Sequence, residues 1–207
     1  MFEGLKQTIE GSVRLTASEW QAVETKLTLR RLKKQTIWLR AGQYCQSVAF
    51  INAGAMRCFH RKGEKDITSH LQFNGMFCAE VQSLLFHQPA AHTIETLEEC
   101  ELVLLRRDDL FELRRTIPAF EEFVGLVIQK FLLSEMKRTA SFLLKSPDER
   151  YLELLRDLPQ AVQRVPQYIL ASYLNMTPET FSRVRNRIRR HRNFRKPASP
   201  AVRADIS

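Results

Sequence analysis

Several marks of common protein classes are missing from these 207 residues. No CxxC pair occurs: Cys45, Cys58, Cys78 and Cys100 stand 13, 20 and 22 residues apart. That spacing gives no support to a structural zinc site or a cysteine-ligated iron–sulfur cluster, and leaves reduced thiols acting as small hydrophobes. No run free of Asp, Glu, Lys and Arg reaches the ~20 residues that a membrane-spanning helix needs. The start, MFEGLKQTIEG, carries two Glu and no apolar signal core, so a cytoplasmic protein with no membrane partner is expected. The five histidines, His60, His70, His87, His92 and His191, form no H-x-H cluster. A nucleophile elbow and a phosphate-binding loop are also absent. The chain is therefore not expected to be an enzyme, and no metal or other cofactor is assigned. A cupin-like metal enzyme is the alternative that a metal assay would expose. His60, His70, His87 or His92 could in principle hold a haem, but lone histidines on strands are ordinarily just hydrogen-bonded.

Acidic residues are scarce near the C-terminus. Arg164–Arg203 holds ten basic residues against one acid, Glu179, and so carries the whole formal excess of +9. A neutral body with a basic end points to a polyanion, DNA or RNA before an acidic membrane. A solubilising tail is the plain alternative.

Periodicity changes along the chain. Residues 1–34 read as helical, with a capping box from Thr16 to Glu19 and an apolar stripe of Trp20, Val23, Leu27 and Leu29. From Thr36, Gly42, Gly54, Gly63 and Gly75 punctuate short β-rich runs: 36–39, 47–52, 55–61 and 67–73. Ile67, Ser69, Leu71 and Phe73 alternate with polar neighbours, the period of a half-buried strand. RKGEK, residues 61–65, reads as a hairpin, 81–86 as a short helix, and 92–97 and 101–106 as further strands. Residues 36–107 are thus expected to form a small β-roll or jelly roll. A short helix follows at 108–115. A long helix then runs from Ala119 to Lys145, with a stripe broad enough to cover the roll and meet a second copy of itself. Ser146-Pro147 starts another helix, 149–158, and 161–165 reads as a short strand or turn.

The most informative stretch is VPQYILASYLNMTPETFSRVRNRI, residues 165–188. One helix spans 167–174. Asn175 suits a turn residue with positive φ, Thr177 is an N-cap and Pro178 the first residue of a second helix, 178–190. Leu170, Leu174, Met176, Phe181, Val184 and Ile188 can share a core, with small Ala171 at the closest approach. This is a helix-turn-helix, whose second helix enters the major groove of double-stranded DNA. Its outward residues are Glu179, Thr180, Ser182, Arg183, Asn186 and Arg187. Thr177, Thr180 and Ser182 suit phosphate oxygens, Arg183 suits guanine, and Glu179 can accept from cytosine. The plain alternative has Glu179 complement the helix dipole and pair with Arg183. Arg185, Arg189, Arg190, Arg192, Arg195 and Lys196 read as phosphate contacts or tail charges. Residues 191–207 read as a basic disordered tail.

The order β-roll, long helix, helix-turn-helix resembles the Crp/Fnr family of bacterial transcription regulators over residues 20–190. ERYLELLRDLP, residues 149–159, with the stretch from Val162 to Ile188 is similar to the Crp/Fnr-type regulators common in Bacteroidetes. The resemblance implies an α+β fold: a cyclic-nucleotide-binding-like sensor domain over 1–117, a dimerisation helix over 118–146 and a winged helix-turn-helix over 147–190. It implies a homodimer on an inverted repeat, with RNA polymerase a candidate further partner. It also places Glu179, Thr180 and Arg183 at base- and backbone-contacting positions. Two departures stand out. Cyclic-AMP binders of the family pair a Glu with an Arg about ten residues on; here Gly75, Glu80 and Val81 are followed by Ala90, Ala91, His92 and Thr93. Glu80 fits the ribose position, Ala79 replaces a Gly, and the phosphate-binding Arg is absent. The effector is therefore an unknown small molecule or none, and a cyclic-nucleotide-responsive regulator is the alternative. After the second helix, RNRIRRHRNFRKP shows no strand alternation that would make a wing.

Overall fold

The computed structural model describes the backbone of residues 1–194 and the side chains of residues 1–190. Two short helices, α1 (Glu3–Glu10) and α2 (Ala17–Glu24), precede the strands. The expected capping box is present: Thr16 accepts from the Glu19 N–H, and the Glu19 carboxylate accepts from the Thr16 N–H at 2.7 Å. The helical reading of residues 1–34 is corrected beyond Glu24. Leu27–Leu32 is a strand, β1, fully paired with the last strand of the roll. Leu27 and Leu29 therefore belong to a sheet, where ladder hydrogen bonds outweigh a helical spacing of only a few residues.

The remaining strands are β2 (Ile37–Leu39), β3 (Ser47–Ala53), β4 (Ala55–Lys62), β5 (Lys65–Phe73), β6 (Phe77–Cys78), β7 (Thr93–Thr96) and β8 (Cys100–Arg106). They form two antiparallel sheets, ordered β1-β8-β3-β6 and β2-β7-β4-β5. Between them lies a core including Phe50, Ile51, Met56, Ile94 and Leu102. The hairpin expected at 61–65 joins β4 to β5 through Gly63. The simple alternation read for β5 does not hold along its length. Cys58 pairs with His70 but Phe59 pairs with Thr68, so Ser69 is an extra residue. Such a bulge reverses the phase: Thr68 is buried and Ile67 is 44% exposed.

Helix α3 (Val81–Phe86) lies between β6 and β7, and α4 (Arg107–Thr116) follows β8. Helix α5 (Pro118–Leu144) starts with proline at N1, where no amide hydrogen is needed. Its 27 residues extend about 40 Å at 1.5 Å per residue. Phe120 and Phe123 bury its first turns against the roll, and beyond Phe123 no residue of the helix is buried.

Ser146 starts α6 (Pro147–Asp157) with a second capping box to Glu149. Residues 161–164, read as strand or turn, are instead a short helix, α7 (Ala161–Arg164). Its Ala161 is fully buried in the same apolar cluster as α8 (Gln167–Tyr173) and α9 (Pro178–Phe194). The second helix of the motif was expected to end at 190; the backbone stays helical to Phe194, so the start of the expected tail is helix. Residues 195–207, including the rest of that tail and any wing, lie outside the described residues. Among the described residues no helix is long and apolar enough to cross a membrane.

Candidate nucleic-acid interface and effector pocket

The turn between α8 and α9 forms as its residue types dictate. Asn175 has φ +53°, a conformation Asn tolerates better than most side chains. Thr177 Oγ1 accepts from the Thr180 N–H at 3.2 Å and so caps α9. Leu170, Ala171, Leu174, Phe181, Val184 and Ile188 are all buried, and Met176 packs against them. Tyr151 of α6 meets Phe181 edge-on at 5.5 Å. This core turns one face of α9 inward. The opposite face presents Glu179, Arg183, Asn186 and Arg187 as exposed side chains, with Thr180 and Ser182 partly exposed and Thr177 exposed at the N-cap.

The charges on that face are only lightly engaged. Arg183 donates to Thr180 Oγ1 at 3.3 Å. Among the described residues no ion pair joins it to Glu179. Arg187 is paired with Asp148 at the start of α6. Glu179 is held below the usual carboxylate range by its own backbone N–H, then by Thr177 and the Arg183 charge. It stays ionised at the N-terminus of the helix, as the dipole favours. The face can therefore offer one acceptor and the Arg183 guanidinium fork to a groove without disturbing the core behind it, and Arg187 once it exchanges Asp148 for another acceptor.

The second site lies inside the roll. Glu80 is buried, and its Oε2 accepts from the Ser83 N–H at 2.5 Å, capping α3. Its Oε1 stands 3.7 Å from His92 Nδ1. Val81 begins α3, and Gly75 lies in the turn before β6 with φ +81°. Thr93 Oγ1 accepts from the Ala41 N–H at 3.2 Å. Glu80 and His92 thus meet, whereas Gly75 and Thr93 serve the turns around them.

Sequence spacing did not reveal the company these residues keep. Strands β5, β4 and β7 bring His70, Cys58 and Ile94 into one row, and the His60 and His92 rings lie 5.4 Å apart. His70 stands 6.4 Å from His92, and its Nε2 lies 2.8 Å from Glu135 Oε1 on α5. His87 is elsewhere, against Tyr44. The Cys58–His60 spacing of two on a strand was the available signal; nothing in the sequence pointed to Glu135. Burial pushes the His92 imidazole down, but its contact with Cys58 and the charge of Glu80 raise it overall. The Cys78 thiol, opposed by burial and helped by His92, holds Cys58 well below the ordinary thiol range. All four cysteines are free and buried. Among the described residues no three His, Cys, Asp or Glu side chains are placed to hold a metal ion.

Residues 29–116 match the cyclic nucleotide-binding domain family. No curated protein matches the sequence. Among solved structures, the c-di-GMP-responsive global regulator CLP of Xanthomonas campestris superposes with a TM-score of 0.68 at 18% identity, over 85% of this chain and 93% of that one. FixK2 of Bradyrhizobium japonicum gives 0.70 at 16% identity, over 80% of this chain and 85% of that one. A protein from Eubacterium rectale assigned to the Crp/Fnr family of transcriptional regulators gives 0.67 at 16% identity, over 86% and 85%. The chain is therefore a cyclic-nucleotide-binding-type β-roll carrying a long helix. Its fold is similar to that of these solved structures, among them the one assigned to the Crp/Fnr family, in agreement with the resemblance read from the sequence.

Proposed function

We propose that the chain is a sequence-specific, DNA-binding transcription regulator, not an enzyme, acting as a homodimer on an inverted repeat with α9 in the major groove. The outward face of α9 carries this reading: Glu179, Arg183, Asn186 and Arg187 are exposed on a helix held by a complete helix-turn-helix core. The sequence-wide segregation of charge supports it, because phosphate contacts dominate affinity for a duplex. The dimer is supported by α5. Ile128, Leu132 and Met136 stand four residues apart, 37%, 58% and 61% exposed, with Phe131 and Leu133 beside them. Such a stripe matches a second copy of the same helix in an isologous contact.

Selection of random duplex DNA by the purified protein at about 150 mM salt tests the reading. Enrichment of an inverted repeat with half-site centres about one helical turn apart is expected. Bulk, salt-sensitive binding with no enriched sequence would defeat it.

A second reading makes the regulator respond to a cyclic nucleotide, and the family match over residues 29–116 favours it. Against it stand Ala90 and Ala91 in place of the phosphate-binding Arg and a Glu80 carboxylate already capping α3. Repeating the selection with cyclic AMP or cyclic GMP separates the two. Unchanged enrichment is expected.

A further inference from the structure

Arg164, the last residue of α7, reaches out of the helix-turn-helix region into one end of the β-roll. Its Nη1 donates to Asn74 Oδ1 at 2.9 Å, and its Nη2 to the Gly54 carbonyl at 2.9 Å. The same guanidinium is paired with the Glu98 carboxylate and lies 5.1 Å over the Phe73 ring. Gly54 joins β3 to β4, Asn74 lies between β5 and β6, and Glu98 between β7 and β8. Three turns of the roll thus converge on one side chain from another part of the chain. The Gly54 carbonyl is presented by a backbone that only glycine accommodates: φ is +109°, and a Cβ there would meet Cys100 Sγ at 2.5 Å and the Glu99 carbonyl at 2.7 Å.

Two further straps act in the same direction. Ser172 Oγ of α8 accepts from the Thr68 N–H at 2.9 Å and donates to the Asp66 carbonyl at 3.0 Å, both on β5, the outer strand of its sheet. Arg138 of α5 donates to the Tyr173 carbonyl at 3.1 Å and stacks 4.1 Å over the Tyr173 ring. Beneath them, Ala55, Leu71, Phe73 and Leu97 of the roll share one apolar cluster with α6–α9. None of these contacts uses the outward face of α9.

We infer that Arg164 is a positioning residue for DNA reading: by binding three turns of the roll at once, it sets the direction of α9 and therefore the half-site spacing the dimer accepts. This rests on the DNA-reading role proposed above. A lysine cannot replace it, because a point charge on a flexible stem does not serve three acceptors in a fixed fork.

The test repeats the duplex selection with full-length wild type, Arg164→Ala, Arg164→Lys, Glu98→Gln and Ser172→Ala, each checked for cooperative thermal unfolding. The variants are expected to keep the wild-type half-site sequence but to enrich a spread of spacings. Arg164→Ala should weaken binding at the wild-type spacing roughly tenfold, and leave an isolated half-site unchanged. A single wild-type spacing at wild-type affinity in Arg164→Ala, or full function in Arg164→Lys, overturns the inference. Should Arg164→Ala not fold, Glu98→Gln carries the same two outcomes from the side of the roll. Should wild type enrich no inverted repeat, the DNA reading has failed, and amide exchange decides separately whether Arg164 holds the helix-turn-helix region to the roll. Faster exchange in the turns at Gly54, Asn74 and Glu98 of Arg164→Ala supports it; unchanged exchange overturns it.

Discussion

Arg183 and Glu179 are one turn apart on α9, yet Arg183 donates to Thr180 and leaves the Glu179 carboxylate to the helix end. Of the plain alternative, the helix-dipole part matches this placement of Glu179, while among the described residues no ion pair joins the two side chains and the Arg183 charge acts on Glu179 from a distance. Arg183→Ala is expected to cost about 1–3 kcal/mol at the cognate site and to relax preference at one base pair. Competition titrations against cognate and random duplexes check this; equal losses on both would remove Arg183 from the base readers. A second residue-scale prediction concerns Glu135. The His70 imidazole at 2.8 Å holds its carboxyl below the usual range, against burial and with help from the His70 and Arg138 charges. Other titratable groups beside this pair are His92 and, through it, Cys58 and Glu80. A carboxyl depressed in the folded state contributes stability above its unfolded pKa and loses it as pH falls through the folded value. Glu135→Gln should therefore lower Tm at neutral pH and flatten its decline between about pH 5 and pH 3. Parallel Tm curves for the two proteins would show that the contact contributes nothing.

Among the elements, α5 carries the proposed dimer contact. A helix with both faces satisfied by its own chain would bury its apolar side chains along its length; this one stops at Phe123. Leu132 lies in the middle of the exposed stripe. Leu132→Glu is expected to give a monomer by sedimentation and to keep weak half-site binding while losing the inverted repeat. A dimer of unchanged strength would move the contact elsewhere. Strand β5 joins both sites: its His70 meets α5, and its Asp66 and Thr68 hold Ser172 of α8. The bulge at Ser69 lies between these contacts and lets consecutive parts of one strand serve different faces.

Charge and docking act over the whole molecule. The body is neutral, and the excess lies from Arg164 onward. Most of it stands on α9 or beyond, while Arg164 itself is spent on Glu98 and the turns of the roll. Binding to any duplex should therefore depend on salt through α9 and the residues after it. Removal of residues 195–207, which takes away Arg195, Lys196 and Arg203, is expected to weaken binding to all sequences alike and to reduce the slope of log K against log salt. An unchanged slope would show that these charges do not reach phosphate.

Local interactions were legible residue by residue. The capping box at Thr16, the cap at Ser146, Pro178 at a helix start, Asn175 at positive φ and the hairpin at Gly63 all rest on partners within a few positions, and the core of the helix-turn-helix on one short stretch of chain. Periodicity and spacing are sufficient for interactions of that range. Long-range pairing was not legible. Leu27–Leu32 became a strand because β8, Cys100–Arg106, offered a ladder from far along the chain. Ile67 turned outward because one extra residue, Ser69, shifted the register against β4. The meeting of Glu80, His92, His70 and Glu135, and of Arg164 with three turns, depends on how two sheets and a distant helix close on one another. Side-chain chemistry sets what each of these groups can bind, but chain closure sets which of them meet.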